Sequence, residues 1–151
     1  MHASEDSGHI ELDGDVIRYT SATYSDWTIR VDDIRIVGEA TNQNGPFADD
    51  YFLCFATGPG MWHEASFYAH GRDAFLAALG ERLGAALDLR LVYSTDFASR
   101  ILWPVQLIDR PMFKYQDMPP KSAVGRLLGS MQNEQMYSDD VLAALKGNAD
   151  R

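Results

Sequence analysis

Residues 51–87 read YFLCFATGPGMWHEASFYAHGRDAFLAALGERLGAAL, and along them the spacing of the hydrophobic residues changes from every second residue to the helical period of 3.6. Tyr51–Thr57 is apolar on both faces, which is typical of a central strand covered on both sides. Thr57–Gly60 has the composition of a turn, so Met61–Ala69 is predicted as the hairpin partner of that strand. The helical spacing that follows predicts a main helix over about residues 73–87.

The main helix is predicted from one apolar stripe with a suitable beginning. Asp73 is placed as an N-cap or as an acid of the first turn, where the partial positive charge of a helix favours a carboxylate. Gly80 and Gly84 lie four residues apart, and we expect their cost in helix stability to be offset by close packing against another element. The stripe consists of Phe75, Leu76, Leu79, Leu83, Ala86 and Leu87.

The residues before this segment have the two-residue period of strands. Asp13-Gly14 lies between two short apolar runs and predicts a hairpin, since glycine accepts a positive φ at low cost. Trp27–Val31 alternates strictly, but the next apolar pair, Ile34 and Ile36, has the opposite phase. A tight turn or a bulge is therefore predicted at Asp32-Asp33.

The residues after the main helix predict further strands and then helices. The strand predictions are Leu89–Tyr93, Ile101–Trp103 and Val105–Ile108, and Pro104 between the last two indicates a sheet edge or a bulge. A weak helical pattern covers Ser122–Leu128. A stronger one covers Ser138–Lys146, where Ser138 is the predicted cap and Gly147 the predicted stop.

This order of elements predicts the α+β class, with an antiparallel, twisted sheet (a bent sheet or roll) packed against one main helix and a short helical C-terminal tail. Residues 1–116 are the predicted β-rich domain, and residues 117–151 are a helical appendage that we expect to dock on it. Polar residues 132–135 are interpreted as slack in the connection. The alternatives are docking on a neighbouring copy or in the groove of a partner, through the stripe Val141, Leu142 and Leu145.

The charge of the chain is concentrated in one half. Residues 1–71 contain 12 acidic and 3 basic side chains, whereas residues 72–151 contain ten of each, so the net charge of −9 comes from the first half. Such a field repels nucleic acid and anionic membranes, and it favours either a basic partner or simply solubility. The polar beginning of the chain does not resemble a signal peptide, and we expect a soluble, cytoplasmic protein.

Neither a metal nor a cofactor is predicted. His63-Glu64 begins like the zinc-binding helix motif, but Phe67 stands where that motif needs its second histidine. Cys54 is the single cysteine, so the chain forms no internal disulfide, and its apolar neighbours predict a buried, inert thiol.

The first candidate site is the predicted strand around residues 62–70. In an extended strand Trp62, Glu64, Ser66, Tyr68 and His70 share one face, which combines an indole with a carboxylate, hydroxyls and an imidazole. The alternative is a solvated sheet face without a ligand.

The second candidate site is the loop over residues 94–100. Ser94, Asp96 and Arg100 supply a hydroxyl, an acid and a base between two predicted strands, a composition suited to a small polar ligand. The alternative is a connection in which Asp96 bonds the nearby backbone.

Two functions remain open from the sequence. The first is a non-catalytic binding or protein-interaction domain, because no catalytic residue set is recognisable. The second is a small enzyme or small-ligand receptor with a pocket between the sheet and the main helix, where Glu64, Tyr68 and His70 supply polar groups and Trp62 an apolar wall. Convergence of these side chains with residues 94–100 favours the second function, and their dispersal favours the first.

Overall fold

The structure is a computed structural model that describes residues 7–42, 49–60, 62–91, 98–117 and 133–149, with the backbone alone described for 115–117, 133–135 and 147–149. None of the described helices is long and apolar enough to cross a membrane. Within these ranges the chain forms nine strands and two α-helices, in the order β1 (His9–Asp13), β2 (Val16–Thr20), β3 (Trp27–Arg30), β4 (Ile36–Thr41), β5 (Tyr51–Ala56), β6 (His63–Ser66), α1 (Arg72–Leu83), β7 (Ala98–Trp103), β8 (Phe113–Asp117), β9 (Asn133–Tyr137) and α2 (Asp139–Ala149).

The strands divide among three antiparallel sheets. The N-terminal sheet has the order β1-β2-β3, the central sheet has the order β6-β5-β4-β7, and β8 pairs with β9. The predicted α+β class with antiparallel strands, a main helix and a short C-terminal helix is therefore confirmed. The strands are distributed over three sheets where the sequence predicted one bent sheet.

The chain leaves the N-terminal sheet and enters the central sheet at Asp32-Asp33, where the alternation of apolar residues changes phase. Val31–Asp33 forms a 3-10 turn in which the Ile34 N–H donates to the Val31 carbonyl over 3.1 Å, which confirms the predicted tight turn. The Val31 N–H still donates to Asp15 in the N-terminal hairpin, whereas the Arg35 N–H already donates to Ala56 in the central sheet, both over 2.8 Å. The turn therefore separates β3 from β4.

The first hairpin also forms where it was predicted. Asp13 pairs with Val16, so Gly14 and Asp15 make the connection, and Gly14 has a φ of 61° in the left-handed region. Glycine adopts this φ without the steric cost that a side chain adds.

β5 is an interior strand and its hairpin partner is β6, as predicted. Its register places Leu53 opposite Ala65 and Cys54 opposite Glu64. Leu53 belongs to the hydrophobic core on one face of the central sheet, and Cys54 belongs to the core on the other face. The run is apolar throughout because both faces of this strand are covered.

Each face of the central sheet has its own core. The N-terminal sheet and α1 cover the first face, with buried Ile17, Ile29, Phe75 and Leu79. The segment around β8, β9 and α2 covers the second face, with buried Met112, Phe113, Tyr137, Val141 and Leu145. The N-terminal sheet and the C-terminal elements thus lie on opposite sides of β5.

α1 ends at Leu83, four residues before the predicted end near residue 87. Gly84 takes a left-handed conformation with a φ of 66°, and its N–H donates to the Glu81 carbonyl over 3.3 Å. This is a common way for a helix to stop, because the orphan carbonyls of the last turn then find donors. Asp73 lies in the first turn of α1, as predicted.

The glycine pair of α1 does not pack against another element, which corrects the prediction from its spacing. Gly80 accepts a hydrogen bond from the Ala85 N–H over 3.0 Å, and a Cβ on Gly80 would lie 2.7 Å from the Ala85 carbonyl oxygen. Because Gly80 has no side chain, the backbone at Ala85 can pack closely against the end of α1. Gly84, with its left-handed conformation, reverses the direction of the chain.

Two predicted strands are wrong. Of the predicted strand Leu89–Tyr93, residues 89–91 are not a strand, and residues 92 and 93 lie outside the described residues. The backbone N–H groups of Arg90 and Leu91 donate to the side chain of Glu39 instead of to a sheet. Val105–Leu107 forms a 3-10 turn directly after Pro104. β7 is the edge strand of the central sheet and ends at Trp103, in agreement with the edge that Pro104 predicted.

α2 begins at its predicted cap, where Ser138 Oγ accepts a hydrogen bond from the Val141 N–H over 3.3 Å. It continues through the predicted stop at Gly147 to Ala149. Residues 133–137, which include most of the polar run interpreted as slack, form β9 and pair with β8. The predicted helix over Ser122–Leu128 lies outside the described residues.

Candidate functional site

The structure separates most of the candidate site residues. β6 ends at Ser66, and residues 67 and 68 form a turn, so residues 62–70 are not one extended strand and the predicted common face is wrong. Trp62 and Glu64 remain neighbours: the Trp62 indole Nε1 donates to Glu64 Oε1 over 2.7 Å. Tyr68 and His70 lie beyond the strand end, at different places.

Tyr68 belongs to a polar cluster at the start of β5. Its hydroxyl donates to Asp50 Oδ1 over 2.6 Å, while the Ser66 hydroxyl donates to Asp49 Oδ2 over the same distance. Burial and the neighbouring Asp50 raise the pKa of Tyr68 above its usual value, so its hydroxyl stays protonated and keeps donating. These contacts fasten the turn after β6 to the strand beside it.

His70 lies near the N-terminal sheet. It forms an isolated parallel bridge with His9, and its N–H donates to the Gly8 carbonyl over 2.8 Å. Both histidines line a separate hollow of about 360 Å³ that also includes Asp26. His70 therefore does not meet Tyr68 or Glu64.

Arg100 lies on β7, which begins at Ala98, so the predicted loop is wrong for residues 98–100. Its side chain forms a buried ion pair. Its Nη1 donates over 2.8 Å to Oε2 of Glu39, whose side chain has no solvent exposure, and its Nε donates to Asp109 over 2.6 Å. Burial opposes the charge of Arg100, but these two carboxylates outweigh it and raise the pKa of the guanidinium. Ser94 and Asp96, the other predicted residues of this loop, lie outside the described residues.

Trp62 and Glu64 form one wall of a groove of about 650 Å³, which we call the aromatic groove. It lies where the loop before β3 faces β5 and the beginning of β6. Four of its lining residues are aromatic, and two are acidic. The lining consists of Thr23, Tyr24, Ser25, Asp26, Trp27, Phe52, Trp62, His63 and Glu64.

The loop before β3 is held in shape by its own side chains. Ser21 Oγ accepts hydrogen bonds from the N–H groups of Thr23 and Tyr24 over 3.1 and 2.9 Å. Asp26 Oδ1 accepts the Ser21 N–H over 2.7 Å. Such local side-chain to backbone bonds fix a turn without a sheet, so Tyr24 and Asp26 are positioned before any ligand arrives.

Trp27 joins the two sides of the aromatic groove. Its indole Nε1 donates to the Glu64 carbonyl over 2.8 Å, and its ring centroid lies 5.3 Å from that of His63. Because β6 is an edge strand of the central sheet, this bond gives one of its open carbonyls a donor. At the base of the groove, this hydrogen bond therefore connects the N-terminal sheet with the central sheet.

Trp62 is supported from behind by the second core. Its ring centroid lies 4.6 Å from Phe113 and 5.0 Å from Tyr137, in tilted arrangements. On the opposite wall, Tyr24 meets Phe52 edge to face at 5.7 Å. Each ring has a partner that restricts its rotation, so the aromatic walls are preorganised.

The ionisable groups of the groove favour a positively charged ligand. Burial raises the pKa of Glu64, although the bond from Trp62 opposes the shift, and burial lowers the pKa of His63, which stays neutral at pH 7. Glu64 Oε2 accepts no hydrogen bond within the described part of the chain. Among the lining residues that the structure describes, none is a lysine or an arginine.

The space between α1 and the sheets, where the sequence placed a possible pocket, is occupied by side chains. Phe75 is 2% exposed and Leu79 is fully buried, and Phe75 meets Phe55 edge to face at 6.0 Å. Among the residues described, no group of three or more metal-ligating side chains is close enough to hold an ion.

Tyr24, Asp26, Trp27 and Phe52 also line this site, although the sequence does not indicate them as site residues. In the sequence, Trp27 belongs to an alternating run and Phe52 to a strand covered on both faces, and neither pattern indicates a binding site. No local pattern brings residues 23–27 to residues 62–64, because the N-terminal sheet must first pack on the central one.

Comparisons of this chain with protein-family models, with curated proteins and with solved structures found no match.

Proposed function

We propose that this protein is a non-catalytic binding domain whose aromatic groove takes a lysine side chain from a basic segment of a protein partner. The observation that carries the proposal is the lining of the groove: four aromatic rings and two carboxylates, Asp26 and Glu64, with no basic side chain in the described part of the lining. Aromatic faces and carboxylates attract ammonium groups, and the same surface disfavours anions.

The energetics of the groove suit a cation. An ammonium group over an aromatic face gains about 0.5–1 kcal/mol when exposed and about 2 kcal/mol when desolvated. A cation beside Glu64 also counters the effect of burial, because it favours the ionised carboxylate that burial disfavours. The net charge of −9 adds a long-range attraction that accelerates the encounter with a basic segment.

The dispersal of the other polar candidates supports binding over catalysis. Tyr68 is engaged by Asp50 and Arg100 by Glu39, and His70 lies at the N-terminal sheet. An enzyme or small-ligand receptor with a pocket against α1 needs such groups to converge, and that alternative has no comparable observation in its favour.

The proposal includes the setting of the protein. The partner is another protein and not nucleic acid or an anionic lipid surface, since the charge of residues 1–71 opposes both. A cytoplasmic location is proposed with it, on the composition of the chain and its single cysteine.

A lysine-rich peptide tests the proposal against the same peptide with every lysine acetylated. We expect the lysine peptide to quench tryptophan fluorescence saturably at moderate salt and the neutral peptide to have no effect. The double variant Asp26→Asn/Glu64→Gln is expected to weaken binding by roughly tenfold or more, as loss of charged hydrogen-bond partners does. Phe52→Leu is expected to weaken it about 2- to 30-fold, the range of a cation–π contact.

Matched controls separate the groove from the overall charge. Glu81→Gln removes one charge from an exposed position of α1, and Phe67→Leu removes a half-buried ring outside the groove. Both are expected to bind the lysine peptide like the unsubstituted protein. Equal weakening by Glu81→Gln and by Glu64→Gln would refute the proposal, because binding would then follow net charge alone.

A further inference from the structure

A second cavity of about 490 Å³ lies at the other end of β3 from the aromatic groove. It opens between β3, the 3-10 turn that follows it, and the place where β4 begins beside the end of β5. Its polar lining comes from Thr28, Arg30, Asp32, Asp33, Arg35 and Thr57.

The two arginines of this cavity differ from the others in the described part of the chain. Six of the eight arginines described there lie within 4.0 Å of a carboxylate, namely Arg18, Arg72, Arg82, Arg90, Arg100 and Arg110. Within the residues that the structure describes, Arg30 and Arg35 form no such ion pair, and both line the same cavity.

Arg35 also has an unused hydrogen-bond donor. Its Nη1 is buried and has no partner within the residues that the structure describes, although the Arg35 backbone N–H is bonded to Ala56. Buried donors without a partner are rare in native proteins, and a bound ion or water is a common explanation. A guanidinium prefers a planar or tetrahedral oxyanion, which accepts from two of its nitrogens at once.

We infer that this cavity binds a small oxyanion, a carboxylate or phosphate group, on Arg35. Arg30 supplies the second positive charge, and the hydroxyls of Thr28 and Thr57 are further donors at the walls. The inference does not depend on the proposed function, because the cavity, its charge and its ligand differ from those of the aromatic groove.

The acidic residues of the cavity do not prevent this. Asp32 Oδ1 lies 3.8 Å from Arg82 Nη2, so a third guanidinium offsets its charge. Asp33 is exposed and projects from the 3-10 turn, where water screens it. With Arg30 and Arg35 against Asp32 and Asp33, the described lining residues have no net charge, in contrast to the −9 of residues 1–71.

Titration with inorganic phosphate, followed by nuclear magnetic resonance, tests the inference. We expect saturable shifts of the Arg35 Nε–H and the Thr57 amide at millimolar phosphate, and similar shifts with acetate. Arg35→Gln should weaken the effect on Thr57 by roughly 10- to 100-fold, as loss of a charge-assisted bond does. Arg35→Lys keeps the charge and should also bind more weakly, because an ammonium lacks the fork of a guanidinium.

Arg110→Gln is the matched control, since it removes one arginine charge at an exposed surface pair with Asp140. It should leave the phosphate titration unchanged, and the dispersion of its amide spectrum and that of Arg35→Gln should match the unsubstituted protein. Vesicles containing phosphatidic acid distinguish the two sources of a phosphate group. We expect the protein not to be retained on them, which would mean that the anion belongs to a soluble ligand. Retention of the protein that is lost in Arg35→Gln would mean that the anion belongs to a lipid headgroup. Shifts that do not saturate, or that persist in Arg35→Gln, would overturn the inference.

Discussion

Glu39 is a buried carboxylate, on β4, that gathers donors from three other parts of the chain. It accepts hydrogen bonds from the Tyr51 hydroxyl, from the backbone N–H groups of Arg90 and Leu91, and from the Arg100 guanidinium. Removing one partner of such a buried pair typically costs about 3–5 kcal/mol, because the other charge is left uncompensated. The Glu39 carboxylate thus accepts the backbone hydrogen bonds that residues 90 and 91 would otherwise make to a neighbouring strand.

Whereas the buried carboxylate of Glu39 stabilises the fold, that of Glu64 destabilises it. The substitution Glu64→Gln is therefore expected to stabilise the protein at neutral pH. Burial raises its pKa, so the folded state binds the proton more tightly than the unfolded chain does. The resulting stabilisation is present below the unfolded pKa of about 4.3 and is lost as the pH rises through the folded pKa, so the ionised carboxyl is unfavourable at pH 7. Glutamine keeps an oxygen that accepts the Trp62 bond without that charge.

Melting temperatures at neutral pH and near pH 4 measure this effect. The gain of Glu64→Gln should be clear at neutral pH and should shrink at the acidic value, where the carboxyl is neutral as well. A variant that melts below the unsubstituted protein at neutral pH would mean that the carboxylate strengthens the fold and is not held ready for a ligand.

At the scale of elements, α1 is fastened to the first core mainly by two side chains, Phe75 and Leu79. Leu79→Ala is expected to lower the free energy of unfolding by about 2–5 kcal/mol, because it leaves a cavity at a fully buried position. Leu76→Ala, on the same helix but only partly buried, should cost less. Urea denaturation of both variants measures the difference, and equal losses would contradict the assignment of the buried stripe.

The elements that the sequence predicted well are those whose pattern and boundaries are local. β5, its turn, β6 and the start of α1 follow from hydrophobic period and turn composition within residues 51–73. Residues 89–91 were predicted as a strand because Leu89 and Leu91 alternate with Arg90, but their N–H groups meet a carboxylate 51 and 52 residues away along the chain. Such a partner leaves no trace in a local pattern.

The same limit applies to the candidate site. Trp62 and Glu64 were predicted from one polar strand face, and both line the aromatic groove. Tyr24 and Trp27 reach that groove only through the packing of the N-terminal sheet on the central one. Arg30 and Arg35 were not singled out, because an arginine without an ion pair is recognisable only after the carboxylates of the fold have found their partners.

For the whole molecule, the central sheet depends on both of its covers. Val141 and Leu145 of α2 are fully buried in the second core, which also contains Ile36, Ala40 and Met112, so α2 completes this core. An isolated helix of this length is marginal in water, which makes packing the main source of its stability.

Removal of residues 130–151 is therefore expected to lower the melting temperature and to expose an apolar face of the central sheet. The truncated protein should bind an apolar dye more strongly and associate with itself in sedimentation experiments, since an uncovered face of this kind favours association. A truncated protein that matches the full chain in melting temperature and in sedimentation would show that α2 and β9 contribute nothing to the second core.

Cys54 is a natural probe for transient opening of the second core. The thiol is fully buried on β5 beneath the second core, and burial raises its pKa well above the usual value, so it is both shielded and protonated in the closed protein. A thiol reagent reaches it only in those moments when the cover formed by β8, β9 and α2 has lifted. Because the chain has no second cysteine, the rate at which this thiol is modified reports how often the second core opens.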